Sequence, residues 1–133
     1  MSEISLQSIT EQVKGLVPLK KTKLSDYLIL AVTSGERSYN IQALLEYLDA
    51  CNHNIVVEDL MGDKAIIRSF EDIDNLIITL CSKYNRTLGR MRNDNNVNYS
   101  KANREGQTLS VTNLIKILNY FKCDLRIYED DLS

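Results

Sequence analysis

Apolar residues recur along this chain with two periods, and the changes of period mark out its elements. Leu6, Ile9 and Val13 fall on one helical face and predict a helix over 5–16. Pro18 suits the first turn of a second, short helix, where its missing N–H costs nothing. A third helix is expected over Leu24–Ser34, with Ser25 as cap and Gly35 as stop. Ile41, Leu44, Leu45 and Leu48 give the core face of a fourth, which Asn52, His53 and Asn54 break. Two β-branched runs, NIVVED and AIIRSF, then flank a Gly-Asp turn and predict a β-hairpin.

The pattern starts again after the hairpin. Asp72 and Asp74 open a helix with Leu76, Ile77 and Leu80 inside. Thr87–Arg92 reads as a short helix, NDNNVN as a loop or turn, and Tyr99–Glu105 as another short helix that Gly106 ends. Ser110 caps a long helix whose apolar positions are Val111, Leu114, Ile115, Leu118 and Phe121, and DLRIYE is the last strand. With a shift of 70 residues, Leu44 and Leu48 fall on Leu114 and Leu118, and Ile41, Leu45, Ile55 and Val57 fall on Val111, Ile115, Leu125 and Ile127. An internal duplication explains this match, and so does chance similarity between two amphipathic helices. The expected class is mainly α with a small antiparallel β-sheet. It divides into a first half, 1–70, with the hairpin and a second half, 71–133, with the C-terminal strand. A single mixed α/β fold without duplication also accommodates the pattern.

Composition adds little until charge is resolved by position. The chain is 44% hydrophobic and 26% charged, with a net charge of −2. Yet Lys83, Arg86, Arg90, Arg92, Lys101 and Arg104 lie close together against Asp94 alone, and Lys14, Lys20, Lys21 and Lys23 form a smaller basic group. Such segregation describes either a local positive face or a set of solvated helix faces. Acid collects around Glu58–Asp63, Glu71–Asp74 and Glu129–Asp131. No apolar run approaches the ~18 residues of a membrane span. The first residues lack the basic and apolar blocks of a secretory signal. Cys51, Cys81 and Cys123 are odd in number and without CxxC, which fits buried thiols in a reducing cytoplasm.

The stretch from Leu24 to Val57 resembles the lambda-repressor-like (Cro or XRE) helix-turn-helix family. That family sets an aliphatic residue and Ser ahead of apolar residues five and eight positions on and Gly eleven on. Here these are Leu24, Ser25, Ile29, Val32 and Gly35, with Leu19 in the place of the second helix's core residue. Only Gly takes φ > 0 freely at such a stop. The second half resembles the same pattern less closely. Leu88 and Met91 stand in its second helix, Val97 and Ala102 in its third, and Gly106 at the stop, two positions early.

The resemblance implies sequence-specific binding to double-stranded DNA, with a third helix in the major groove. It places Asn98, Tyr99, Ser100, Lys101, Asn103 and Arg104 toward the groove, and Arg86, Arg90 and Arg92 near phosphates, joined by Lys20, Lys21 and Lys23 from the first half. Turn chemistry explains the asparagines equally well. The third helix of the first half, Tyr27–Val32, is too apolar for a groove and is expected to be buried against the other half or in a dimer face.

No nucleotide loop, metal-ligand cluster or nucleophile motif is present. His53 is a lone turn histidine, and Asp72, Asp74, Asp130 and Asp131 read as a helix start and a solvated tail. The sequence therefore reads as a transcriptional regulator that binds DNA, with no enzymatic activity, cofactor or metal. The alternative is a protein-interaction module on a scaffold that has lost DNA binding, such as a bacteriophage accessory protein, either homodimeric or bound to another protein.

Overall fold

The computed structural model describes residues 3–130 and is mainly helical with one small antiparallel sheet. Its elements are α1 (Leu6–Val13), α2 (Asp26–Ser34), α3 (Ile41–Ala50), β1 (His53–Glu58), β2 (Lys64–Ile67), α4 (Phe70–Lys83), α5 (Leu88–Asn95), α6 (Lys101–Gly106), α7 (Val111–Tyr120) and β3 (Asp124–Glu129). Side-chain caps start the helices, at Ser25 and Ser110 as expected and on α4 at Ser69, ahead of the expected Asp72 and Asp74. Ser25 Oγ accepts from the Leu28 N–H, Ser110 Oγ accepts from the Asn113 N–H, and Ser69 and Asp72 form a reciprocal capping box on α4. Gly35 ends α2 at φ 66°, and a Cβ there would overlap the Thr10 side chain. Glycine is thus required at that stop on two counts.

The sheet order is β2-β1-β3, antiparallel throughout. Ile55, Val57, Ile67 and Leu125 point into a core that α1, α3, α4 and α7 also fill. Both halves supply this core. Moreover, α1 of the first half is tied to the second: the Ile4 N–H donates to Asn119 Oδ1 at 2.9 Å, and Asn119 Nδ2 donates back to the Ile4 carbonyl at 2.8 Å.

A local two-fold axis relates the halves. Val56 pairs with Arg126 in the sheet and Asn40 bridges Ser110, both pairs being 70 residues apart. Around the second pair, the Ile41 N–H donates to the Leu109 carbonyl at 2.8 Å, and the Val111 N–H donates to the Tyr39 carbonyl at 2.7 Å. Asn52 and Lys122, also 70 apart, both follow their helices with φ near 57°. Antiparallel pairing of residue i with residue i+70 at two places places a two-fold axis through both.

The side chain of Gln12 covers the outer edge of β3. It accepts from the Ile127 N–H at 2.9 Å and donates to the Leu125 carbonyl at 3.4 Å, as a neighbouring strand would. Gln12→Ala should lower the unfolding free energy by about 1–2 kcal/mol, because two strand groups lose a fixed partner. Denaturant titration measures this, and an unchanged midpoint would show that water replaces Gln12 without cost.

Several sequence expectations need correction. No helix forms around Pro18. Gly15 takes φ 86°, the chain leaves α1 extended, and the Leu19 and Lys20 N–H groups donate to the Ala50 carbonyl at the end of α3. Leu19, expected in a core, is 68% exposed. The two halves therefore do not share one element order. Helix α2 packs on α1 and α3 by one face, Val32 alone is fully buried, and Tyr27 and Leu30 are exposed. The helix α5 takes in Asn93, Asp94 and Asn95, so only the last part of NDNNVN is a connector. Gln107, at φ 55°, ends α6, while Gly106 remains helical. Ala102 is exposed, not part of the core. Asp131 lies outside the described residues.

Candidate nucleic-acid interface

The two-fold axis emerges between α3 and α7 at the Asn40–Ser110 bridge. Helix α2 leads into this bridge from one half and α6 from the other. Around it lies a polar cleft of about 390 Å³, bordered by Ser38, Asn40, Asn98, Asn103, Thr108 and Asn113. Its rim is cross-linked between halves: the hydroxyls of Ser38 and Thr112 lie 2.9 Å apart, and Gln42 Nε2 donates to Gln107 Oε1 at 3.3 Å. Uncharged amides and hydroxyls of this kind can donate to and accept from phosphates or base edges.

The twelve residues expected to face DNA fall into two groups. One group is exposed. The side chain of Lys101 is 87% exposed, with Nζ 3.7 Å from Glu105. Arg90 lies on the open face of α5 with Nε 3.5 Å from Asp94. Asn98 borders the cleft. Lys20, Lys21 and Lys23 are exposed on the extended segment, with Lys20 Nζ 3.6 Å from Asp49. Ion pairs this long and this exposed restrain a side chain weakly and leave its charge available.

The other group is engaged within the second half itself. Tyr99, expected in the groove, is fully buried, and its hydroxyl donates to Asp74 Oδ1 at 2.5 Å. Arg104 closes on the same carboxylate from the other side, Nε at 2.8 Å and Nη2 at 3.1 Å. Arg104 holds the Asp74 carboxyl below its ordinary range, against the upward pull of burial, and Tyr99 adds to the lowering. Burial, then the adjacent carboxylate, pushes the Tyr99 phenol up. Arg92 Nη1 donates to the Tyr99 carbonyl at 3.2 Å and braces the connector. Ser100 and Asn103 form a capping box on α6 through Ser100 Oγ and Asn103 Oδ1, while Asn103 Nδ2 donates to Thr108 Oγ1 at 3.2 Å on the border of the cleft. Arg86 lies away from α6, its Nε donating to the Tyr120 hydroxyl at 3.1 Å. Lys83, counted in the basic run, is paired with Asp59 at 2.6 Å and with Asp63.

Asp74 is the residue that the sequence reading misplaced. It caps nothing and anchors the α4–α6 contact. A signal was present, since Asp74 lies three before Ile77 on the flank of the Ile73–Leu80 stripe, where a carboxylate requires a partner. Part of the apolar helix α2 stays open, as the stripe Tyr27, Leu30, Ala31 and Ser34. It opens into a groove of about 200 Å³ that Glu36 and Arg37 close.

The three cysteines are free and buried, and burial raises their thiols above the ordinary value, that of Cys123 to about 12. Among the described residues no cluster of His, Cys, Asp and Glu is arranged to hold a metal ion, and no helix is long and apolar enough to cross a membrane. Compared with protein-family models, curated proteins and solved structures, the chain matches none.

Proposed function

We propose that this chain binds duplex DNA as a pseudo-symmetric monomer and acts in transcriptional regulation. The observation that carries this reading is the two-fold relation of the halves. It brings the connector after α2 (Ser38, Asn40) and helix α6 with the segment after it (Asn103, Thr108) to one polar cleft, with Lys101 exposed on α6 and Arg90 exposed on α5. Dimeric helix-turn-helix proteins meet DNA through just such a two-fold, one recognition element per half-site. Arg90 and Lys101 supply phosphate contacts from the second half, Asn98 borders the cleft, and Lys20, Lys21 and Lys23 add positive charge from the other end of α3. Asp74, Tyr99, Arg92 and Arg104 hold that face in shape without touching the ligand.

Fluorescence anisotropy on labelled random-sequence duplex tests the reading. Binding is expected at low salt and should weaken by about 10-fold or more toward physiological salt, as about three or four phosphate contacts release their counterions. An anisotropy that stays flat at low salt would refute it.

One observation favours a second reading, a protein-interaction module. Tyr27, Leu30, Ala31 and Ser34 form an i, i+3, i+4, i+7 stripe, small residues beside large ones, with Glu36 and Arg37 able to pair reciprocally across a two-fold. A second copy is the occupant that this self-complementary charge suits. Under that reading the chain sediments as a dimer, Leu30→Glu makes it monomeric, and DNA leaves both states unchanged.

A further inference from the structure

The two-fold relation also exposes a difference between the halves. In the first half, the chain beyond residue 16 runs extended over the end of α3, and the N–H groups of Leu19 and Lys20 both donate to the Ala50 carbonyl, at 2.7 and 3.2 Å. The position 70 residues on from Ala50 is Tyr120, at the end of α7. There the chain takes another course. Asn85, the counterpart of Gly15, again has positive φ, but Thr87 then caps α5 and carries residues 88–95 away as a helix. The surface beside Tyr120 is left as a cavity of about 290 Å³ lined by Leu60, Tyr84, Arg86, Tyr120, Phe121 and Lys122.

The walls of this cavity are specific. Phe121 packs edge-on against Tyr120, centroids 5.0 Å apart, and tilted against Tyr84 at 6.0 Å. Arg86 is fixed by Nε on the Tyr120 hydroxyl and by Nη1 on the Tyr84 and Asn85 carbonyls, which leaves the Nη2 donors for a ligand. Lys122 is exposed at the rim. The charge at this end differs from that of the first half. There Lys20 reaches Asp49; here the counterpart of Asp49 is the neutral Asn119, and Arg86 and Lys122 stand with the pair of Arg90 and Asp94, whose carboxylate accepts from the Tyr120 hydroxyl at 2.9 Å, so the balance is positive.

We propose that this cavity binds an extended acidic peptide from a partner protein. Its backbone lies as residues 16–20 do in the first half and donates to the Tyr120 carbonyl. An apolar side chain packs on Leu60 and the Tyr84 ring in the cavity, and a carboxylate takes the free face of Arg86 together with Lys122. The site lies at the far end of α7 from the Asn40–Ser110 bridge, so this proposal stands whether or not the chain binds DNA.

The test uses the intact chain and an acetylated, amidated hexapeptide with the sequence of residues 16–21, glutamate replacing both lysines. Amide shifts in nitrogen–proton correlation spectra are followed during titration. Saturable shifts at Arg86, Tyr120 and Lys122 are expected at about 100 µM peptide, and the unaltered lysine peptide should bind at least ~10-fold more weakly. Lys122→Asn removes the rim charge and keeps a residue that tolerates positive φ, so it should weaken binding by about 3-fold with an unchanged melting temperature. Arg86→Gln should weaken it further. Absence of saturation, equal binding of the two peptides, or shifts confined to α2 and the polar cleft would overturn the proposal. Concentration-dependent shifts at these residues without peptide would also overturn it, in favour of a second copy.

Discussion

Asp74→Ala should lower the unfolding free energy at neutral pH by about 2–3 kcal/mol and loosen α6 from α4. The carboxylate is one acceptor for two elements: the buried Tyr99 hydroxyl and the bidentate Arg104 guanidinium both end on it. Without it, a fully buried phenol loses its partner, a loss of about 1–3 kcal/mol, while half-exposed Arg104 turns to water at smaller cost. The pH dependence has a definite sign. The folded carboxyl titrates below its ordinary value, so its stabilisation is present above the unfolded value, about 3.9, and is lost as pH falls through the folded one. Wild type should therefore lose stability steeply below about pH 4, and the variant should show a shallower acid limb. Tyr99→Phe should reproduce about half of the neutral-pH loss. Denaturant unfolding between pH 7 and pH 2 measures all three quantities. Parallel acid limbs for wild type and variant would show that the Asp74 cluster does not hold the fold together.

The second large effect concerns binding. Arg90→Glu with Lys101→Glu should abolish measurable duplex binding, at least ~100-fold, and lower the melting temperature by only a few degrees. Each reversal removes one phosphate contact and adds one repulsion, and the new carboxylates beside Asp94 and Glu105 cost about 0.5 kcal/mol each on exposed helix faces, so the fold is kept. Arg104→Glu would weaken binding as well, but by placing two carboxylates together and unfolding α6. Comparing the two by circular dichroism separates residues that touch DNA from residues that shape the face. Retained binding in the double variant would move the interface away from α5 and α6.

The residues themselves explain what the sequence could and could not reveal. Strand β3 was legible to the residue, because DLRIYE alternates its apolar positions and the helix before it ends in a clear break. Helix α3 is legible from periodicity and α7 from periodicity and its Ser110 cap, and their 70-residue spacing reappears as backbone pairing at Asn40 and Ser110. The 16–24 segment was not. Pro18 is compatible with a helix start, but Leu16, Val17 and Leu19 give no helical face, and the hydrogen bonds to Ala50 that fix the extended course come from residues 30 positions away. The same limit applied to the site. That Lys101 and Arg90 are solvated follows from local composition, whereas Arg104 and Tyr99 are turned inward by Asp74, at separations of 30 and 25 residues, which a count of basic residues does not see. The apolar character of α2 is plain in its letters and its neighbours are not: the helix packs on α1 and α3 by one face and leaves Tyr27 and Leu30 exposed.

The central claim is that duplex DNA meets the face where the two-fold axis emerges. The most direct measurement is a nitrogen–proton correlation titration of the chain with a short duplex at low salt. Shifted amides are expected on both sides of the cleft, at Asn98, Lys101 and Asn103 from one half and at Ser38, Asn40 and Gln42 from the other. Shifts confined to one half, shifts at the sheet, or no shifts would contradict it.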